Sequence, residues 1–474
     1  MVQCGHRPQE GMEVTLQQHI SIIGSGFCGT ALTIQLLRHA KGPLHVQLIN
    51  RSGRLARGLA YGTRSSSHLL NVPAGRMSLF PDLPNDFLLY AQSRLPEART
   101  GDFLPRSLYG DYLEHRLAEA IAGKSPAVFF EHVEAQVIDS IVTHDKVILE
   151  LQDGRSLEAT QAVIATGNFA PAIPAPLAGI AADSRFIRDP WLPGVLERIN
   201  RNARILLVGT GLTMLDVALS LQDHGHQHPL LAVSRRALLP QPHRTNLESP
   251  TLPLVPESLL DRTTMRHLLS DIRAFVDAAQ RDGYDWRDVV AALRPATPSL
   301  WQRLACSERR RFLRHLQPYW EVHRHRAAPN IAKRIEAMLL HNLLTVKAGR
   351  LSVAKVSDEA LLLNVKMRGK QQPCQLEVDY VINCTGPCSD LSKLDEPLLN
   401  RLHARGEVQR DAEGLGLEAT EDYRLLAQDQ AAHKRLFLLS PMLRARYWEA
   451  TAVPELRQHA ARLAELLLRQ VQPS

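Results

Sequence analysis

Three observations predict that this sequence forms an α/β protein with two Rossmann-like dinucleotide-binding domains. A glycine-rich turn, GSGFCG at residues 24–29, follows an apolar strand and opens a helical pattern; a second, GTGLTM at residues 209–214, does the same. Each unit then runs through a β-meander that closes on Thr-Gly, at residues 163–167 and 381–386. A duplication over more than a hundred residues is too long for a solenoid repeat and fits two related domains, hence two nucleotides.

The first turn leaves a strand at residues 20–23 and enters a helix over about 30–37. Gly24 makes the tight turn, Gly26 lets a pyrophosphate approach the backbone, and Gly29 lets the helix pack closely on the sheet. The free N–H groups of the helix start then face the phosphates. At the end of the next strand, residues 46–49, an acid usually holds the ribose; here Asn50 stands there with Arg51 beside it. An amide oxygen still accepts a ribose hydroxyl proton. The first meander turns at Asp153-Gly154 and ends in Thr166-Gly167, both assigned to the first nucleotide site.

The second turn follows residues 204–208. Gly209 and Gly211 keep the pattern, but Met214 replaces the third glycine. A phosphate site with looser helix packing and an ordinary tight turn both fit. The next strand, residues 230–233, ends in Ser234-Arg235-Arg236. Two guanidinium groups there suit the 2′-phosphate of NADPH; a solvated basic turn is the alternative, and NADH use stays open.

Composition narrows the class. The chain has 474 residues, 45% of them hydrophobic, with no long charge run or low-complexity tract, so it has material for two or more cores. It contains no run of eighteen apolar residues and no charged-then-apolar leader, so a soluble cytoplasmic protein without a membrane partner is expected. Residues 1–18 read as a loose extension. Six cysteines make no disulfide framework in a chain this long, and Cys384 and Cys388 lack the C-x-x-C spacing of a redox pair.

The basicity is concentrated. Residues 301–350 carry eleven Lys and Arg against three acids, an excess above the net +7 of the whole chain. No helix-turn-helix, finger or RNP pattern accompanies them, so nucleic acid is not the expected partner. His323 and His325 lack further ligands at zinc spacing, so no metal site is expected. Arg309 to Arg311 read as a solvated face. The cluster of Arg324, His325 and Arg326, flanked by Trp320 and Pro329, reads as a pocket for an anion, substrate or cofactor phosphate.

Proline punctuation at residues 171, 174, 176, 190 and 193 marks a crossing region. The expected organisation is a first part of one nucleotide domain at 1–190, a second nucleotide domain inserted at 191–374, and the return of the first at 375–474. Within the inserted domain, residues of about 245–340 form a helical insertion, with Met265, Leu268, Leu269, Ile272, Phe275 and Val276 at helical spacing, that could serve as a lid. A closing helix runs from Pro454 to about Gln470, its N-terminus aimed at whatever Thr451, Ala452 and Val453 touch.

With these landmarks the chain resembles the FAD/NAD(P)-binding proteins related to class B flavin monooxygenases, over nearly its full length. The resemblance rests on GSGFCGTAL, GLAYGTRSSSHLLNVPAGRMS, PRSLYGDYL, GTGLTMLDVALSL, SRRALLPQPHR, VHRHRAAP, VINCTGP and WEATAVPELR; LLNVPAGRMS and WEATAVPE are the specific strings. It implies FAD on the first domain and NAD(P)H on the second. Asn71, Ala74 and Met77 would lie along the flavin, and Thr451 to Val453 would set the closing helix at its pyrimidine edge, where a helix start stabilises negative charge.

In such a protein NAD(P)H reduces the flavin, dioxygen is trapped as a flavin hydroperoxide, and the protein orients a substrate and excludes water. The residues expected to orient a small, planar, anionic substrate are His243, Arg244, Arg324, His325 and Arg326. A histidine could accept its proton, and an arginine fork could hold it. For His243-Arg244 a cofactor-side loop contact is the alternative. Flavin-dependent urate hydroxylation, forming 5-hydroxyisourate in purine breakdown, is the specific activity the resemblance suggests. A flavin reductase or dehydrogenase with another acceptor, and a non-catalytic FAD/NAD(P)-binding redox module, are the competing readings.

Overall fold

Near-continuous apolar strands such as HISII and ILLV can be buried only inside parallel sheets covered on both faces, and this is how the chain places them. The computed structural model describes residues 18–245 and 252–469. The expected N-terminal extension up to residue 17, residues 246–251 of the insertion, and Gln470 lie outside the described residues.

The first unit runs β1 (Gln18–Ile23), α1 (Phe27–His39), β2 (Leu44–Asn50), α2 (Gly58–Tyr61), α3 (Asp86–Gln92), α4 (Arg106–Ala122), β3 (Val128–Glu134), β4 (Val137–Val142), β5 (Val147–Leu151), β6 (Ser156–Ala159) and β7 (Gln161–Ile164). The second runs β8 (Phe186–Ile187), β9 (Ile205–Val208), α5 (Leu212–Asp223), β10 (Leu230–Ser234), then α6 (Glu257–Leu260), α7 (Met265–Arg281), α8 (Trp286–Leu293), α9 (Thr297–Arg303), α10 (Cys306–His315), α11 (Gln317–Arg324) and α12 (Pro329–Leu340). It ends in β11 (Leu344–Val356), β12 (Leu361–Met367), β13 (Cys374–Val378) and β14 (Tyr380–Asn383). The chain returns through α13 (Pro397–Ala404), β15 (Arg424–Leu426), β16 (Ala432–Leu438) and α14 (Val453–Arg469).

Six strands form the first sheet in the order β15-β16-β7-β1-β2-β3, and seven form the second in the order β13-β12-β11-β10-β9-β14-β8. Because β16 lies parallel to β7 in the first sheet, the second domain is an insertion within the first. The second sheet reaches beyond residues 191–374, taking in Phe186–Ile187 and Tyr380–Asn383. α1 packs against α4 and α14 as well as the sheet, which is why every residue from Phe27 to Leu37 is buried.

The two units share one geometry. The Gly24 amide donates to the Ile49 carbonyl at 2.8 Å and the Gly209 amide to the Val233 carbonyl at 2.9 Å. Ala165 donates to Ile23 at 2.9 Å, as Cys384 does to Val208 at 2.8 Å. They differ in the meander. β11 is one long strand, parallel to β10 in its first half and antiparallel to β12 in its second, whereas the first unit breaks it into β3 and β4 and leaves β4-β5-β6 as a separate sheet.

The helical insertion has its own core, containing Met265, Leu268, Phe275, Val289, Trp301 and Phe312, and this core also takes in Trp448 from the returning segment. The Trp301 and Trp448 rings lie 4.6 Å apart, and the Trp301 indole N–H donates to the Ala445 carbonyl at 3.1 Å. The insertion is therefore fastened over the segment that leads into α14.

Candidate functional site

Both glycine turns are shaped as phosphate sites. Gly24 has φ +107°, and a Cβ there would lie 2.8 Å from the Ala165 carbonyl oxygen; Gly209 has φ +113°, and a Cβ there would lie 2.5 Å from the Cys384 oxygen. A Cβ on Gly29 would come within 1.8 Å of the Gly24 oxygen, so only glycine allows α1 to lie this close to the turn. At the corresponding place in α5, Met214 is fully buried and joins the core with Ile205 and Leu207. Neither helix has a side-chain cap or an acid in its first turn, so the first N–H groups are left for a ligand. The Cβ position of Gly211 faces open space, and the buried Thr166 hydroxyl beside the first turn has no partner among the described residues. Gly26 approaches the Gly58 backbone, and Gly167 has no neighbour at its Cβ position. These features fit two dinucleotides.

Asn50 does not present a free amide. Its NH2 donates to the Arg54 carbonyl at 2.9 Å and the Ser52 hydroxyl at 3.2 Å, and its oxygen meets His132 Nε2 at 2.9 Å. The amide ties the β2 end to β3, which is where the ribose expectation for Asn50 departs from the structure. Arg51 is exposed and pairs with Glu396 at 3.4 Å.

Between the domains lies a cavity of about 200 Å³ that brings together distant parts of the chain. Asn71 and Met77 line it from the first domain, and Thr451, Ala452 and Val453 from the start of α14. His243, Arg324, His325 and Arg326 enter from the second domain. Ala74, fully buried, stands in the wall behind. Arg244 is not among the lining residues. It forms a bidentate pair with Asp288, at 2.9 and 2.6 Å, and Asp288 also closes the capping box of α8, so Arg244 braces that helix start rather than a substrate.

Five arginines line the cavity: Arg76, Arg106, Arg294, Arg324 and Arg326. Three have carboxylate partners. Arg106 meets Asp216 at 2.8 Å, Arg294 forms a fork with Glu455 in the first turn of α14, and Arg324 meets Glu449 at 2.5 Å. The Arg324–Glu449 pair is nearly sealed, with side chains 9% and 2% exposed. His325 binds Glu321 at 3.0 Å, and Glu321 also binds Arg444 at 2.6 Å. Burial opposes ionisation of Glu321, but His325 and Arg444 hold its carboxyl well below the usual range.

His243 is held by its Nε2–H, which donates to the Asn71 carbonyl at 3.1 Å, with its ring 4.7 Å from Phe103. Burial, and then the Arg326 charge, lower its pKa to about 3. At neutral pH the ring is uncharged and presents Nδ1 as an acceptor, but it is too weak a base to take the substrate proton expected of it.

Arg235 and Arg236 do not reach this cavity. They lie in a separate cleft of about 650 Å³ at the end of β10, lined also by Arg314 and Tyr319, by Arg350 of β11 and Lys366 of β12, and by Arg368 and Lys370 of the β12–β13 turn. No carboxylate lines it. Arg236 lies 5.5 Å from the Tyr319 ring centre and donates to the Arg314 carbonyl at 3.3 Å.

Several of these residues escaped the sequence reading. Arg76, Arg106, Glu449 and Glu455 lie inside strings already singled out, LLNVPAGRMS, PRSLYGDYL and WEATAVPELR, so a signal was present; their mutual pairing was not. Arg294 lay in an unremarked stretch of the insertion.

Residues 21–169 match the family model described as FAD-NAD(P)-binding. Comparison with curated proteins gives no sequence match. Among solved structures, L-lysine 6-monooxygenase from Pseudomonas syringae is 17% identical with a TM-score of 0.64, covering 96% of this chain and 99% of that one. Ornithine hydroxylase from Pseudomonas aeruginosa in its reduced form is 17% identical with a TM-score of 0.62, covering 96% and 100%. The bacillithiol disulfide reductase from Staphylococcus aureus is 11% identical with a TM-score of 0.54, covering 96% and 100%. At these identities the likeness establishes the fold, two Rossmann-like dinucleotide-binding domains, which has been put to more than one chemistry. Among the described residues no helix is long and apolar enough to cross a membrane.

Proposed function

We propose that the protein is an FAD-dependent monooxygenase that uses NAD(P)H and dioxygen to hydroxylate a small anionic substrate. The observation that carries this reading is the cavity itself, where the segment after the first glycine turn, the N-terminus of α14 and the cationic insertion meet. Bound nucleotides of this kind supply hydride transfer and activation of dioxygen.

The chain supplies place and field. Gly24, Gly26, Gly29 and Thr166 would seat the FAD pyrophosphate and Gly209 and Gly211 that of the nicotinamide nucleotide, with Arg235 and Arg236 reading its 2′-phosphate. The start of α14, at Thr451 to Val453, would stabilise negative charge on the ring beside Asn71 and Met77. The insertion, fastened through Trp301 and Trp448, contributes Arg294, Arg324, His325 and Arg326 to the chamber wall and would limit water there. No cysteine lines the cavity, which disfavours a disulfide reductase acting there.

Urate is the specific substrate we put forward. A planar monoanion suits a guanidinium fork, whereas a cationic amine would meet two arginines that lack a carboxylate partner among the described residues and no lining carboxylate to hold it. The test is to titrate the purified flavoprotein with NADH and NADPH under argon, then admit air with urate or other planar anions. Anion-stimulated NAD(P)H and dioxygen consumption with an oxygenated product is expected. Turnover independent of every anion, or anaerobic turnover with a dye alone, would move the protein to the reductase class.

A further inference from the structure

Two of the five cavity arginines lack a carboxylate partner among the described residues. Arg326, two residues past the end of α11, has its buried Nε–H without a hydrogen-bond acceptor among the described residues, and its guanidinium lies 5.8 Å from the Trp286 ring centre. Arg76 ends the short 3-10 turn at Ala74–Arg76 and opens on the same cavity. They come from different domains.

A charge taken out of water without a partner is costly unless something neutralises it; this bears on half-buried Arg326, whereas Arg76 is exposed at the cavity. Burial, then Arg324, Arg287 and Arg76, press the Arg326 pKa down to about 10, with Asp285 opposing them without forming an ion pair. Arg76 is solvent-exposed as a residue, and partial burial of its guanidinium, then Arg294 and Arg324, shift its pKa downward. At neutral pH both stay charged, and the three carboxylates that neutralise Arg106, Arg294 and Arg324 are already engaged. Arg76 and Arg326 therefore face the cavity without a carboxylate partner of their own among the described residues.

We infer that Arg76 and Arg326 form a two-sided clamp for a planar oxyanion group of the substrate, a carboxylate or an ionised ring oxygen, and that this clamp selects anions over amines. Arg326, backed by Trp286, presents its fork, and Arg76 closes from the other domain, so the anion also ties the two domains together. His243, uncharged in the same lining, offers Nδ1 to an N–H or O–H of the same ligand. The inference rests on the cavity being the substrate chamber and specifies the class it takes. A phosphate of the nicotinamide nucleotide shares this chemistry, so the test separates the two sources.

The experiment measures binding, by calorimetry and thermal shift, of benzoate, urate and 1,5-diaminopentane to the purified FAD-loaded protein without NAD(P)H. Binding of at least one of the two anions and none of the diamine is expected. Arg76→Gln and Arg326→Gln should each weaken anion binding tenfold or more, while Arg76→Lys and Arg326→Lys, which keep the charge but lose the fork, should recover part of it. Affinity for NADP+ and FAD content should stay within twofold. The clamp is overturned if neither anion binds, if the diamine binds more tightly than the anions, if the Gln variants bind them unchanged, or if NADP+ affinity falls in parallel. Absence of oxygenated product with anion binding intact would instead sink the monooxygenase reading alone.

Discussion

Replacing Glu449 by Gln should destabilise the protein far more than a one-atom change suggests. Glu449 is 2% exposed and accepts from Arg324 Nε at 2.8 Å, with Nη2 at 2.5 Å from the same oxygen. The glutamine keeps the shape but removes the charge, leaving Arg324 as a third uncompensated guanidinium beside Arg76 and Arg326. With about 4 Å between charge centres and an effective dielectric of about 20, the lost attraction is roughly 4 kcal/mol, in line with the 3–5 kcal/mol typical of breaking a buried pair. A fall in melting temperature of about 5 °C or more is expected. Thermal denaturation followed by tryptophan and flavin fluorescence reads it. The double change Arg324→Met with Glu449→Leu should restore most of the loss, because an apolar pair carries no desolvation cost. A Glu449→Gln melting temperature within 1 °C of the parent, or a double variant less stable than the single, would refute the electrostatic argument.

Other substitutions probe the nucleotide sites and the pH response. Gly29→Ala puts a methyl 1.8 Å from the Gly24 oxygen and should displace α1, costing about 3 kcal/mol and most of the bound FAD. Gly211→Ala, with open space at its Cβ, should leave the melting temperature unchanged and weaken only nicotinamide nucleotide binding; equal instability of the two variants would contradict the geometry. Changing Arg235 and Arg236 together to Gln should raise the KM for NADPH at least tenfold more than that for NADH, and equal effects would remove the pair from 2′-phosphate recognition. His459, whose pKa burial lowers from 6.5 to about 4, makes the native state resist a proton that the unfolded chain accepts. Its contribution is lost as pH falls below 6.5, by about 2 kcal/mol at pH 5. The drop in melting temperature between pH 7 and pH 5 should therefore be smaller for His459→Gln than for the parent; an identical drop would count against it.

Much of the architecture was legible because it is local. The turns at Gly24 and Gly209 carry their backbone demands in the sequence, and apolar runs such as residues 205–208 announce buried parallel strands. The helical spacing of Met265, Leu268 and Phe275 predicts α7. The site was legible only in outline. His243, Arg324, His325 and Arg326 do meet Asn71, Met77 and Thr451 to Val453 at one cavity, but Arg244 does not join them, because Asp288 holds it. Asn50 is absorbed into the β2–β3 junction by His132, which lies 82 residues away in sequence.

By itself, then, the sequence determined the two nucleotide-binding units, their order, the helical excursion between β10 and β11, and where positive charge accumulates. These depend on glycine conformation, strand hydrophobicity and helical period, which act over a few residues. Only the tertiary structure decided which charges are free. An arginine reads the same in sequence whether a buried carboxylate neutralises it or not, and the partners here are far apart: Glu449 for Arg324, Glu455 for Arg294, Asp216 for Arg106. Arg76 and Arg326 have no such partner among the described residues, and that difference is set by long-range packing.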